Sequence, residues 1–220
     1  MLTQKDIEAK LLREYFDNRP VYEKIINIAK PQIEYRLIDV RINKKSWERI
    51  DVIARVKEFA SALNKLKRQR EGRILEETDS FSTLNDMAAL KIKVFPNKYL
   101  QSVDNTINSL YHYLEADHQP SKIIDENNYD LIERLKYVAK LEPKYGIDIG
   151  FEIQIVPFLL DAFIDVEHDI IYKPGEGLPS KEIIERHMKV PKDIAIRSLI
   201  SFAKEFSEIL EKWGKPAKSF

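Results

Sequence analysis

The apolar residues change their spacing within one stretch, from Asp51 to Lys67. Val52, Ile53, Ala54 and Val56 form a short apolar run, which is typical of a buried strand. From Phe59 onward the apolar residues recur at helical spacing, and no glycine or proline interrupts them before position 70. The pattern therefore predicts a strand that leads directly into a helix.

Basic side chains accompany this predicted strand and helix. Because strand side chains alternate, Arg55 and Lys57 lie on the same side. Lys57, Ser61 and Lys65 are four residues apart, so they lie along one helical face. Three cations and a hydroxyl that converge on one region suit a polyphosphate. A solvated basic face is the alternative interpretation of the same spacing, and the more common one.

Upstream of this stretch, the pattern predicts two helices. The first covers residues 4 to 16, with Thr3 as its N-cap, and the second runs from about Pro20 to Ala29. Pro31 is expected to end the second helix, because proline lacks the backbone N–H that a helix interior needs.

Downstream, strands and helices alternate. The polar segment from Gln69 to Ser80 predicts a mobile loop. The later elements are predicted as a strand over Ala88–Phe95, a helix over Leu100–Leu114, a short strand over 122–124, a hairpin of strands over Leu131–Leu141 and Ile149–Val156, and helices over Phe158–Tyr172, 180–189 and 192–213.

This order of elements predicts an α/β (mixed α+β) fold, in which helices cover a mixed β-sheet and helical extensions lie at both ends. We expect an N-terminal helical extension over residues 1–46, a central domain over 47–175 and a C-terminal helical extension over 176–220. The helical extensions are of a kind that often supports homo-oligomers.

Composition narrows the classes of function. The chain has 220 residues, of which 44% are hydrophobic, and its 36 basic residues balance 36 acidic ones. Zero net charge argues against wholesale adhesion to nucleic acid or membrane, but it allows a local basic cleft. The absence of cysteine excludes disulfides and thiolate chemistry. No apolar run approaches the length of a membrane span, and the N-terminus lacks a signal-peptide core, so we expect a cytoplasmic protein.

Three polar residues stand at or within predicted core strands. Asp86 comes just before the strand AALKIKVF, and Glu152 and Gln154 share one side of the strand FEIQIV. Polar side chains on a core strand are costly unless they have partners, and carboxylates are the ligands that Mg²⁺ prefers. Asp86 and Glu152 are therefore candidate metal ligands and Gln154 is a candidate site residue, although a strand with one solvated face is the alternative interpretation.

Three segments in order resemble the synthetase domain of the RelA/SpoT family. Residues 55–65 are similar to the family's R-x-K-x-x-x-S-x-x-x-K, residues 86–91 to its D-L-x-x-x-R, and residues 152–155 to the start of its E-x-Q-I-R-T. A fourth segment, 167–173, is similar to the helix end that follows in small members. The resemblance implies a nucleotidyltransferase-like fold and the transfer of pyrophosphate from ATP to the ribose 3′-hydroxyl of GTP or GDP, which makes (p)ppGpp.

The resemblance also implies roles for individual residues. Arg55, Lys57, Ser61 and Lys65 would contact the ATP donor. Asp86 and Glu152 would hold Mg²⁺ and be catalytic, with Gln154 beside them. The family's G-Y-x-S-x-H string is missing, but Tyr137 stands at the family's usual interval before Glu152 and is the candidate ring for stacking on the acceptor base.

Other departures lie near the acceptor motifs. Lys91 replaces the family arginine, and Val156-Pro157 stands where the family has Arg-Thr. Two alternatives therefore stay open. One is a relative that modifies the tRNA 3′ end and acts as a toxin, with phosphate contacts from the basic run Lys65, Lys67, Arg68, Arg70 and Arg73. The other is a non-catalytic module that binds nucleotide or a partner. No membrane partner is expected.

Overall fold

A five-stranded mixed sheet forms the centre of the computed structural model, which describes residues 3–41, 48–70, 74–111, 113–115, 134–172 and 181–213. The strands are β1 (Arg49–Val56), β2 (Ala88–Phe95), β3 (Tyr113–Glu115), β4 (Leu135–Ala139) and β5 (Phe151–Pro157). Their order in the sheet is β1-β2-β5-β4-β3. Only the β2–β5 pair is parallel, and the other described pairs are antiparallel. The predicted fold class is confirmed.

Six α-helices surround the sheet in the described part of the chain. They are α1 (Gln4–Arg36), α2 (Ile38–Arg41), α3 (Phe59–Gln69), α4 (Leu100–Leu110), α5 (Phe158–Tyr172) and α6 (Lys181–Trp213). None of these helices is long and apolar enough to cross a membrane. The predicted strand-to-helix transition in the basic stretch is confirmed by β1 and α3, and the predicted β2 and α5 have the same bounds in the structure.

The two faces of the sheet differ in chemistry. The core face packs against α1 and α4 and carries apolar residues from every long strand, among them Val52, Ile92, Ile153 and Tyr137. The opposite face, here called the charged face, carries the alternate residues, and α5 covers part of it. Its residues on β1, β2, β5 and β4 are Arg49, Asp51, Ile53, Arg55, Ala89, Lys91, Lys93, Phe95, Glu152, Gln154, Val156, Lys136 and Val138.

Prolines do not end the long helices, contrary to the prediction. Helix α1 is continuous through Pro20 and Pro31, and α6 is continuous through Pro191. All three prolines are exposed, so the carbonyl that loses its helical donor can bind water instead. In α1, a stripe of buried residues along one side also holds the helix on the core. The predicted N-cap is confirmed, because Thr3 and Asp6 form a capping box.

Two further predictions differ from the structure. Helix α4 ends at Leu110, and residues 113–115 form β3 instead of continuing the helix to Leu114. Residues 74–80 of the predicted mobile loop are held to α1, because the Gln4 amide exchanges two hydrogen bonds with the backbone of Leu75 and Ser80 donates to Glu14. The predicted strand at 122–124 lies outside the described residues, and the predicted domain boundaries stay a prediction.

Candidate active site

Arg55 and Glu152 stand on one row across the charged face. Arg55 on β1 pairs with Ala89 on β2, and Ala89 pairs with Glu152 on β5. Adjacent strands are about 4.8 Å apart, so the Cα atoms of Arg55 and Glu152 are separated by roughly 10 Å. Ala89 contributes only a methyl group between them. The row therefore places a cation on one side of a small, buried residue and a carboxylate on the other.

Asp86 lies two residues before β2, at the end of the strand where β5 begins with Phe151 and Glu152. Its Oδ2 atom is 3.0 Å from Lys57 Nζ and 2.8 Å from Lys65 Nζ. The backbone N–H of Lys57 donates to the Met87 carbonyl at 2.8 Å, which extends the β1–β2 pairing past the strand end and brings Lys57 to Asp86. Asp86 is only 7% exposed.

Burial and charge act in opposite directions at this cluster. Burial by itself raises the pKa of Asp86, but the Lys65 and Lys57 ammonium groups outweigh burial and hold the pKa below its ordinary value of 3.8. Burial lowers the pKa of Lys57 from 10.5, and the Asp86 carboxylate only partly offsets this shift. Asp86 is therefore a carboxylate at neutral pH.

One oxygen of Asp86 has the character of an unfilled ligand position. Among the described residues, Asp86 Oδ1 is buried and has no hydrogen-bond partner, although both lysines contact Oδ2. Such an oxygen is costly unless something binds it, and a cation fits. The described residues contain no group of three or more histidines and acids that could form a metal cage. Mg²⁺ does not need one, because it commonly takes one or two carboxylates together with water and substrate phosphates.

Glu152 is 3% exposed, and each of its oxygens has a partner. Gln154 Nε2 donates to Oε1, and Lys136 Nζ lies 2.7 Å from Oε2. Lys136 is on β4, where it pairs with Gln154, so both partners lie one row along the charged face from Glu152. The two contacts hold the carboxylate plane in a fixed orientation.

The structure brings most of the predicted site residues together in two groups. Lys57, Lys65 and Asp86 form one group, and Glu152 and Gln154 belong to the other. Lys57 precedes α3 and does not lie on the helix, but it still reaches Asp86. Arg55 is exposed on β1, on the row of Glu152, and Ser61 is exposed in the first turn of α3.

Tyr137 does not join them. It pairs with Ile153 and lies on the core face, on the opposite side of the sheet from Glu152. It is 1% exposed, and its hydroxyl donates to the buried carboxylate of Asp104 on α4. A ring in this position cannot stack on a base that is bound at the charged face. The prediction placed Tyr137 by counting along the chain, whereas a strand position one residue away faces the other side.

Two charged residues at this face were not predicted. Lys136 contacts Glu152, and a lysine inside the apolar strand LKYVA was the available sequence signal. Asp161 on α5 is 1% exposed and lies 2.7 Å from Lys91 Nζ and 2.5 Å from Lys93 Nζ. The sequence signal for Asp161 was a single acidic residue in the apolar segment FLLDAFI, but nothing in that segment indicated which lysines it contacts.

A cavity of about 490 Å³ lies elsewhere, between the end of α4 and the β4–β5 connection. Its described lining is mainly apolar and includes Leu110, Tyr111, Leu141 and Ile147. None of the predicted site residues lines it, so the cavity and the charged cluster are separate features.

Comparison with known proteins agrees with this arrangement. The family model described as a region found in RelA / SpoT proteins matches residues 54–177, which is more than half of the chain. A search of curated protein sequences gives no match.

Solved structures provide the fold comparison. Small alarmone synthetase 1 from Bacillus subtilis is similar with a TM-score of 0.60 and 20% identity, over 93% of this chain and 97% of that one. The same enzyme bound to its product pppGpp gives 0.61 and 21%, over 88% and 95%. A GTP pyrophosphokinase family protein from Streptococcus pneumoniae gives 0.57 and 18%, over 90% and 92%. With the family model covering the chain from the end of β1 through α5, this chain belongs to the RelA/SpoT family.

Proposed function

We propose that this protein is a pyrophosphokinase that transfers pyrophosphate from ATP to the ribose 3′-hydroxyl of GTP or GDP. The observation that carries the proposal is the arrangement of Arg55, Ala89 and Glu152 on one row of the charged face, with Asp86 and two lysines at the same end of the sheet. Cations for a polyphosphate and carboxylates for a metal and a proton therefore share one region of the molecule.

The donor triphosphate binds on the β1 side of this surface. Arg55 is exposed there, and the ammonium groups of Lys57 and Lys65 contact Asp86 at the same end of the sheet. An arginine can bind two phosphate oxygens in a planar fork, whereas the lysines act as point charges that neutralise the phosphate chain. Small alarmone synthetase 1 from Bacillus subtilis, which has the same fold, has been crystallised with AMPCPP, a triphosphate of this kind.

Asp86 and Glu152 would hold Mg²⁺, which supplies neutralisation of the charge that develops on the phosphates. Glu152 accepts the proton of the acceptor 3′-hydroxyl as its oxygen attacks the β-phosphorus of ATP. The bond between the β-phosphorus and the α–β bridging oxygen breaks, AMP leaves, and the β- and γ-phosphates remain on the acceptor. Arg55, Lys57 and Lys65 hold the transferred group in line during this step.

The acceptor binds on the β4 side, because the donor cations occupy the β1 side. Lys136 contacts Glu152 from that direction. The pppGpp complex of the Bacillus subtilis enzyme supports a guanosine nucleotide as the class of acceptor.

Three residues of the basic run that motivated tRNA as an acceptor have acidic partners within the chain. Lys65 contacts Asp86, Lys67 lies 2.7 Å from Glu8, and Arg70 contacts Asp79 at 2.6 Å. Arg73 lies outside the described residues. These side chains therefore do not favour transfer to the tRNA 3′ end. The assay described next tests tRNA as an acceptor directly.

The test is a transfer assay with ATP and Mg²⁺ in which GTP, GDP and deacylated tRNA are offered separately. We expect AMP release together with a pyrophosphorylated guanosine nucleotide. Labelled tRNA would identify the alternative acceptor, and binding of ATP without AMP release would identify a non-catalytic module. The matched comparison is Arg55→Met against Arg49→Met, since both arginines lie on the charged face of β1 and only Arg55 is on the row of Glu152.

A further inference from the structure

Lys57 and Lys65 make a contact that donor binding alone does not require. They come from different parts of the chain, the residue just after β1 and the second turn of the neighbouring helix α3. Their ammonium groups nevertheless lie 3.0 and 2.8 Å from the same atom, Asp86 Oδ2. The cations assigned to the triphosphate therefore also neutralise the carboxylate assigned to the metal.

The net charge of this cluster disfavours the binding of a metal ion in the absence of nucleotide. Two ammonium groups and one carboxylate leave a positive excess of one charge. A divalent cation at Asp86 Oδ1 would have both ammonium groups on the other oxygen of the same carboxylate. The Asp86 and Lys57 side chains are only 9% and 11% exposed, so water screens the repulsion poorly. Oδ1 is available, but its surroundings are unfavourable for a free cation.

A polyphosphate reverses this balance. Its oxygens attract the ammonium groups of Lys57 and Lys65, which reduces the repulsion felt at Asp86 Oδ1. It also provides additional oxygen ligands for a metal. Each ligand therefore makes the binding of the other more favourable, and such a coupling is reciprocal by thermodynamic necessity.

We propose that Lys57 and Lys65 make metal binding at Asp86 conditional on a polyphosphate, so that the site selects the metal–nucleotide complex over either component alone. The inference rests on the proposed function, because it takes Asp86 as a metal ligand and the two lysines as donor contacts. It adds a specificity role: the lysines exclude free metal as well as bind phosphate.

The decisive experiment measures Mn²⁺ binding without nucleotide, by electron paramagnetic resonance of the free ion, in the wild type and in Lys65→Met. Removal of a cation that only binds phosphate leaves the Mn²⁺ dissociation constant unchanged. We expect instead that Lys65→Met binds Mn²⁺ at least about fivefold more tightly, the lower end of typical coupling factors.

The matched control is Lys67→Met. Lys67 is on the same helix as Lys65, but its ammonium group contacts Glu8 on α1, at 2.7 Å, instead of Asp86. We expect this variant to bind Mn²⁺ with the wild-type dissociation constant. The comparison separates the local effect at Asp86 from a general change in the charge of α3.

The second measurement is the dissociation constant of AMPCPP, by titration calorimetry, with EDTA and with saturating Mn²⁺. The ratio of the two constants reports the coupling, and complex formation in solution contributes equally to every variant. In Lys65→Met we expect weaker AMPCPP binding in EDTA and a ratio at least about fivefold smaller than in the wild type. In Lys67→Met the ratio should stay at the wild-type value.

The proposal is overturned if Lys65→Met is folded by circular dichroism and binds Mn²⁺ no more tightly than the wild type. If Lys65→Met does not fold, Lys65→Gln and Lys57→Met provide the same test, with the same direction expected. Pyrophosphate transfer is assayed separately on the wild type. Coupling without transfer would refute the proposed function alone, and transfer with uncoupled metal binding would refute this inference alone.

Discussion

Two almost fully buried aspartates at the charged face have the same kinds of partner and differ in one respect. Asp86 is 7% exposed and Asp161 is 1% exposed, and each contacts two lysines. Asp161 has one lysine at each oxygen, Lys91 at Oδ1 and Lys93 at Oδ2, although the Lys93 contact is an ion pair without hydrogen-bond geometry. In Asp86 both lysines contact Oδ2, and Oδ1 has no hydrogen-bond partner among the described residues.

Their positions explain the difference. Asp161 is in the first turn of α5, which packs on β2, and its lysines Lys91 and Lys93 are on that strand. The contact therefore attaches a helix to the sheet. Asp86 precedes β2, at the end of the strands that carries the Arg55–Glu152 row. The same residue types thus build an attachment at one end of the face and a candidate ligand site at the other.

The largest effect is expected from Glu152→Gln, which tests whether the Arg55–Glu152 row is catalytic. Loss of the carboxylate removes the proton acceptor and a metal ligand, so pyrophosphate transfer should fall by about 10²–10⁴-fold. The control is Glu142→Gln, an exposed acid that pairs with Lys144 on the β4–β5 connection. Full AMP release by Glu152→Gln would show that the row is not the catalytic centre.

The next prediction compares Asp161→Asn with Asp86→Asn directly. Asp161→Asn leaves two lysines without their buried partner and should lower the free energy of unfolding by about 3–5 kcal/mol. Asp86→Asn also leaves two lysines without their buried carboxylate, so its loss of unfolding free energy should be similar. Urea unfolding measures both, and transfer assays should show the larger loss for Asp86→Asn. Equal losses of transfer by the two folded variants would contradict the distinction between the two aspartates.

A smaller effect is expected from Tyr137→Phe, which contrasts the core face with the charged face. The variant loses the hydrogen bond to Asp104, so unfolding should become easier by about 1.5–3 kcal/mol, the range for a bond to a charged group. Transfer to GTP should keep the wild-type kcat/KM, because the ring lies behind the sheet. A large increase in the KM for GTP with unchanged stability would restore Tyr137 as an acceptor contact.

The smallest effect concerns Asp79, which holds residues 74–80 in place and lies away from the two aspartates. Burial raises its pKa, but the Glu76 backbone N–H and Arg70 outweigh burial and lower the pKa below 3.8. Because the folded pKa is depressed, Asp79 contributes stability above pH 3.8 that is lost as the pH falls through the folded value. The urea midpoint of Asp79→Asn should therefore lie below that of the wild type at neutral pH, and the two should converge in acid.

Much of the fold followed from local patterns. Alternation predicted β2 with its observed bounds, and the change of period after Val56 predicted the passage from β1 to α3. The errors came from a local rule applied without its surroundings. A helix start was predicted at Pro20, a helix end before Pro31 and a break between residues 189 and 192. Exposure of the prolines and, in α1, burial of the opposite side keep both helices continuous instead.

The sequence by itself determined which residues carry charge and which neighbours on a strand share a side, so Glu152 and Gln154 were predicted as a pair. Only the tertiary structure decided what lies across from them. Strand register and helix packing placed Tyr137 on the core face, Lys136 on Glu152 and Asp161 on Lys91 and Lys93. The physical reason is that alternation is a property of a single strand, whereas register depends on pairing between distant segments, and a shift of one residue reverses every side chain.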